Sequence, residues 1–156
     1  MAKVKNYVLD EIAEDDFSLI AIHSICEAYL LAFLLNSKCH CRFVKSKKIN
    51  GEVHADYPFE SYEWIDPIKG IEIKLFSNRF IIFQNDDQKG KTLFDLPKTK
   101  ELYLVEDLKD VDYIIKIDSG IKDQIMIEKM ESIEQISCRY LIDQSRLKID
   151  LNLNLY

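Results

Sequence analysis

Cys39, His40 and Cys41 are consecutive, and thiolates with an imidazole are ligands that suit zinc. The spacing argues against a metal centre. Cys-x-Cys lacks the usual two-to-four-residue gap, and no second cysteine pair follows. His23 and His54 complete a site only if the fold brings them together. The expectation is no metal and no cofactor, with residues 39 to 41 as a helix-to-strand connection. His23 closes an apolar run, where an imidazole can act as a general base or a ligand. No nucleophile motif accompanies it, and no G-x-S-x-G occurs. Asp107, Asp112, Asp118 and Asp143 are the candidates for paired carboxylates. Asp118 and Asp143 fall at the ends of predicted strands and share one end of the sheet if those strands are parallel. Turn and cap use of Asp is the simpler reading. The four glycines are scattered singly and make no phosphate-binding loop. No catalytic residue is assigned.

Arg42, Lys45, Lys47 and Lys48 form a short basic run, with Tyr57, Phe59, Tyr62 and Trp64 close behind. Basic residues beside sheet aromatics suit single-stranded RNA, which stacks its bases on exposed rings. The RNA-recognition signature is absent, and aromatics in a meander more often pack. RNA binding is therefore the alternative function, with Arg42, Lys45, Lys47, Lys48 and Trp64 as its candidate residues.

The 156 residues suit one domain spanning 1–156. Hydrophobic residues make up 47% and charged residues 31%, the balance of a globular chain. The net charge of -6 disfavours broad nucleic-acid binding, which needs phosphate neutralisation. The start, "MAKVKNYVLDEIAEDD", has no apolar core of signal-peptide length. The densest apolar run, "ICEAYLLAFLLN", is too short to cross a bilayer and carries Glu27. A soluble cytoplasmic protein with no membrane contact is expected, its four cysteines reduced.

Residues 3 to 9 read as a short strand. "FSLIAIHS", 17 to 24, is apolar on both faces, as a central strand is. Ser24 and Glu27 match a capping box, and the helix that follows runs to about Leu35. Asn36 and Ser37 mark its end. It is apolar almost all round, so burial of most of its surface is expected. "CRFVKSKKI" reads as a strand. "FESYEWID", the turn "PIKG" and "IEIKLF" form a hairpin, and "SNR" turns the chain into "FIIFQ". Residues 85–100 read as an exposed loop. Val111, Tyr113, Ile115 and Ile117 alternate as in a strand. Ile121, Ile125, Met126, Met130 and Ile133 share a helical face, and 136 to 142 alternates again. Residues 17 to 49 and 111 to 142 thus each read as β-α-β. The fold expected is α+β: two β-α-β units around an antiparallel meander, helices on one face of the sheet, related to the ferredoxin-like plan. Ile149, Leu151, Leu153 and Leu155 alternate at the C-terminus. They make a candidate edge strand and partner-binding element.

The stretch 105 to 113 resembles an uncharacterised bacterial family named for its signature, IPExxxVDY. Val105-Glu106-Asp107 stands where that signature has Ile-Pro-Glu, and Val111-Asp112-Tyr113 matches its second half in full. "FSLIAI", "AYLLAFLLN", the aromatic meander and a late "RYLID" follow the same order, so the resemblance spans most of the chain. It implies no assigned activity. A Pro at position 106 would pre-set a first helical turn, and Glu106 is itself favourable there through the helix dipole. Val105, Glu106, Asp107, Val111, Asp112 and Tyr113 are accordingly read as structural, with the acidic pair starting one turn that delivers the chain into the strand.

The function expected is a non-enzymatic protein-interaction or regulatory module whose partner is another protein or a second copy. RNA binding and small-ligand sensing are the alternatives.

Overall fold

The computed structural model describes residues 17–46, 59–84 and 98–147. The chain is α+β, and among the described residues two helices lie on a mostly antiparallel sheet. The elements in chain order are β1 (Ser18–Ser24), α1 (Ala28–Cys39), β2 (Val44–Lys45), β3 (Ser61–Asp66), β4 (Ile71–Ser77), β5 (Arg79–Gln84), β6 (Lys98–Tyr103), β7 (Tyr113–Ser119), α2 (Asp123–Lys129) and β8 (Ile136–Leu141). Six strands form one sheet in the order β2-β3-β4-β7-β1-β8, while β5 and β6 pair in a separate hairpin.

β1 runs between β7 and β8, antiparallel to both. Its Leu19, Ile20, Ala21 and Ile22 are fully buried, so both faces of the strand are covered. The helices cover one face of the sheet. There Leu31 and Leu35 of α1 and Met126 of α2 meet Ile20, Ile22, Ile73, Leu75 and Ile115. The opposite face carries a smaller core of Leu19, Ala21, Phe76 and Ile114, closed by Val105, Val111 and Ile142. The stretch 104 to 112 is thus a cover for the second face.

Local chemistry sets the turns. Asp66 accepts at Oδ1 from the Ile68 and Lys69 amides, both at 3.1 Å, and starts the β3–β4 turn. Gly70 ends that turn at φ +64, a left-handed conformation that favours glycine. Gly120 follows β7 at φ +101, and a Cβ there would lie 2.8 Å from the Ile71 Cα. The close approach of β7's end to β4's start requires it.

Several expectations need correction. All strand pairs among the described residues are antiparallel. The two β-α-β segments are therefore not adjacent parallel pairs. β1 separates β7 from β8, and β7, β4 and β3 separate β1 from β2. Ser24 does not cap α1; it ends β1, and Glu27 is the N-cap. Asn36 does not end the helix, which continues to Cys39 because the Asn36 side chain is held by both the amide and the carbonyl of Phe43 (2.7 and 2.9 Å). The expected loop at 85–100 overlaps β6, whose polar residues Lys98, Thr99 and Lys100 pair with Gln84, Phe83 and Ile82. "SNR" does not return the chain onto β4, since β5 pairs with β6 instead. The strand expected at 3 to 9 and the partner-binding residues Ile149, Leu151, Leu153 and Leu155 lie outside the described residues.

Candidate functional site

The Val-Asp-Tyr stretch binds the turn between β1 and α1. Glu106–Leu108 form one 3-10 turn, and Lys109 pairs with Glu106 at 3.4 Å. Beyond it, the Asp112 carboxylate accepts at Oδ2 from the Ser24 amide at 2.9 Å. Its own amide donates to the Ile22 carbonyl at 3.2 Å. Tyr113 donates its hydroxyl to the Cys26 carbonyl at 2.6 Å. Burial raises the Tyr113 phenol, reinforced by Cys26 and Asp112, so it stays a donor throughout the neutral range. Ser24 Oγ donates to the Gln135 carbonyl at 2.7 Å. A hydroxyl has one proton, so at the 2.9 Å contact with Cys26 Sγ the thiol is the donor. Residues 24 to 27 are therefore fixed from two sides, by the start of β7 and by the segment before β8.

Asn78 anchors the same stretch from the sheet side. It is fully buried between β4 and β5. Its amide group donates to the Leu108 and Val111 carbonyls (2.8 and 2.9 Å), and its Oδ1 accepts from the Val105 amide at 2.9 Å. Its backbone donates to the Asp112 carbonyl and accepts from the Leu104 amide (2.8 and 2.9 Å). One side chain thus satisfies three backbone groups that burial would otherwise strand.

The turn so fixed presents an apolar surface. Ala28, Leu31, Ala32, Leu35 and Cys39 recur at three- or four-residue steps and are buried. On the outer side Tyr29 is 62% and Phe33 63% exposed, one four-residue step apart, and Ile25 in the turn before the helix is 103% exposed. The sequence from Ala28 to Ser37 has no charge at all. Glu27 stands at one end of this helix and Lys38 in its last turn, both exposed. A helix that is apolar all round is expected to be buried all round, yet among the described residues Tyr29 and Phe33 on the outer side of α1 are exposed. No family model, curated protein or solved structure matches the chain. The geometry alone therefore carries the functional reading.

The remaining sequence candidates resolve into structural roles. Cys39 Sγ donates to the Lys129 carbonyl at 3.2 Å. Burial raises its thiol, partly offset by Lys129 and Lys38. Cys41 is buried too, and burial with the neighbouring Cys39 pushes its thiol up to about 12. His40 between them is exposed and occupies the left-handed C-cap of α1 at φ 58, so the three side chains do not converge. Among the described residues no group of three or more His, Cys, Asp and Glu is arranged to hold a metal ion. His23 meets the Tyr140 hydroxyl through Nε2 at 3.1 Å.

Asp118 takes Lys116 as its partner at 2.6 Å, while Asp143 accepts from the amide and hydroxyl of Ser145 in a local turn (3.1 and 2.7 Å). β7 and β8 are both antiparallel to β1 and hence parallel to each other, so the two residues lie toward one end of the sheet, with β1 between their strands. Trp64 requires correction as an RNA-stacking residue. It is only 7% exposed and packs edge-on against Phe43 at 6.2 Å in the helix-side core, so its ring has no free face for a base. Arg42 and Lys45 are exposed, and Lys45 pairs with Glu60 at 3.7 Å. Lys47 and Lys48 lie outside the described residues.

Sequence reasoning missed Asn78 and the outer face of α1. The signal for the second was present in Tyr29 and Phe33. In an all-apolar helix, however, the pattern does not say which side the sheet takes.

Proposed function

We propose that the chain is a non-enzymatic protein-interaction module and that α1 is its contact element. The observation that carries the reading is the exposed pair Tyr29 and Phe33 on a helix uncharged from Ala28 to Ser37, with the exposed Ile25 in the turn before it. Exposed apolar surface on a rigid element is a protein-contact feature, because burial of each such side chain stabilises a complex by about 1.5–3 kcal/mol before ordering costs. The partner chemistry that fits is an uncharged apolar surface, because Tyr29 and Phe33 offer no charge to match.

Two further readings belong with this one. The chain is a divergent member of the IPExxxVDY family, supported by the full match at Val111, Asp112 and Tyr113. In this reading Val105, Glu106 and Asp107 keep the turn without the Pro. The architecture is an elaborated ferredoxin-like fold. The order β8-β1-β7-β4, with α1 and α2 on one face, supports it, and β3 and β2 extend the sheet beyond β4.

The test is affinity capture from host lysate with tagged wild type, Phe33→Asp and the control Ile68→Asp, whose exposed side chain lies in the β3–β4 turn. Proteins held by wild type and the control but lost with Phe33→Asp are expected. Identical capture by all three refutes the α1 surface. Capture abolished by ribonuclease transfers the function to RNA.

A further inference from the structure

We infer that β5 presents an open strand edge, and that its occupant is the β5 edge of a second copy of this chain, paired antiparallel about a two-fold axis at Ile81. This contact is separate from the α1 surface. Among the described residues β5 pairs with β6 alone, so alternate amides and carbonyls along its other side have no strand partner. Phe80 and Ile81 are each 37% exposed and Phe83 66%, and neither they nor Ile82 belong to either core. A two-stranded ribbon is marginal on its own, and a third strand or more is needed for independent stability. What completes this ribbon is therefore an extended apolar strand.

The opposite edge of the ribbon is protected. β6 carries Lys98, Lys100 and Glu101, all exposed, and charges of this kind block edge pairing. Addition stops after one step, which gives a closed β6-β5-β5-β6 sheet rather than a fibre.

The register follows from backbone geometry and charge. In an antiparallel pair the groups aimed at one side come from alternate residues, so the two-fold axis falls at Ile81 or at Ile82, not between them. With the axis at Ile81, Phe80 faces the partner's Ile82, and Arg79 faces the partner's Phe83. With the axis at Ile82, Arg79 would run past the end of the partner strand. Arg79 is the only charge on β5. It is exposed and makes no ion pair among the described residues. A guanidinium over an aromatic face is attractive, and an isologous interface makes that contact twice. Every other facing pair is apolar. The same five residues thus supply both halves of the contact, which favours a second copy over a foreign strand.

Sedimentation equilibrium on the full chain tests this with wild type, Ile81→Lys, Ile81→Glu, Arg79→Ala and Phe33→Asp. Wild type is expected to dimerise at concentrations of about 100 µM or below. Ile81→Lys and Ile81→Glu each set like charges against one another on the axis and are expected to weaken the dimer more than roughly tenfold. An equimolar mixture of the two is expected to recover it to within about threefold, because position 81 meets itself across this axis. Arg79→Ala removes both cation–π contacts and is expected to weaken the dimer roughly tenfold. Phe33→Asp, altered on α1, is expected to dimerise as wild type does. Far-UV circular dichroism shows whether each variant folds.

Hydrogen exchange on the unaltered chain gives a second reading that no substitution can disturb. The β5 amides are expected to exchange more slowly as concentration rises, while those of β1 keep a constant rate. A monomeric wild type, a dimer indifferent to Ile81→Lys, or β5 exchange independent of concentration overturns the proposal. So does a mixture that stays monomeric while both Ile81 variants are folded, or assembly beyond the dimer. Loss of the dimer with Phe33→Asp would move the interface to α1 and overturn it as well.

Discussion

At the scale of single residues, the carboxylate and thiols that suggest chemistry hold backbone instead. Asp112 has one partner that explains its position, the Ser24 amide. Asn at this position keeps an acceptor oxygen, and Ala does not. Asp112→Ala should cost about 1–2 kcal/mol by leaving a part-buried amide unpaired, and Asp112→Asn should cost less than half of that. Urea unfolding of the two variants checks this, and equal losses would contradict the latch. A carboxylate used for proton transfer would fail in both variants equally. Cys39 and Cys41 are similar in kind. Their thiols are buried and their pKa values raised, the opposite of what a metal ligand or nucleophile needs.

At the scale of elements, the organising contact is between a strand kink and an irregular segment. Asn78 interrupts β4 and β5 and holds 104 to 112 over the second face of the sheet. Asn78→Ala would leave the Val105 amide and the Leu108 and Val111 carbonyls without that partner. The expected loss is about 3 kcal/mol, with faster amide hydrogen exchange concentrated in residues 104 to 112. Exchange that accelerates uniformly across the sheet would instead mean that the segment is not a separate latch. The acidic 3-10 turn and the strand after it are legible in the sequence, because a dipole-favoured first turn and a period-two pattern are local features. Asn78 is not, because its three side-chain partners lie about thirty residues away and no local spacing announces them. β6 was hidden for a related reason. Its lysines and glutamate carry no apolar alternation, and it is a strand through its pairing with β5.

At the scale of the whole molecule, the buried protonated groups give stability a defined alkaline limit. The Cys41 thiol has its ordinary value of 9.0 raised to about 12 in the fold, and Cys39 and Tyr113 are raised as well. Below pH 9 these groups keep their protons in both states and contribute no slope. Between pH 9 and 12 the unfolded chain loses the Cys41 proton and the folded chain retains it, so unfolding free energy falls as pH rises. The slope is up to about 1.4 kcal/mol per pH unit for each such proton. Urea midpoints from pH 7 to 11 should be level and then decline above about 9. Cys41→Ala should lower the whole curve through its cavity yet flatten the decline, and an unchanged slope would remove Cys41 as a cause.

Composition and periodicity by themselves determined that this is an α+β chain, with β1 apolar on both faces; the helical face expected through Ile125 is not formed, because α2 ends at Lys129 and buries Met126 while Ile125 is 45% exposed. They also determined the hairpin at 61 to 77, because alternation and turn chemistry act between near neighbours. Only the tertiary structure decided the strand order, the antiparallel pairing throughout and the burial of Trp64. It also decided which side of α1 faces the sheet and which stays open. These depend on partners distant in sequence. A helix apolar on every side does not specify its own orientation, so the exposed Tyr29 and Phe33 emerge only once the sheet has taken the other side.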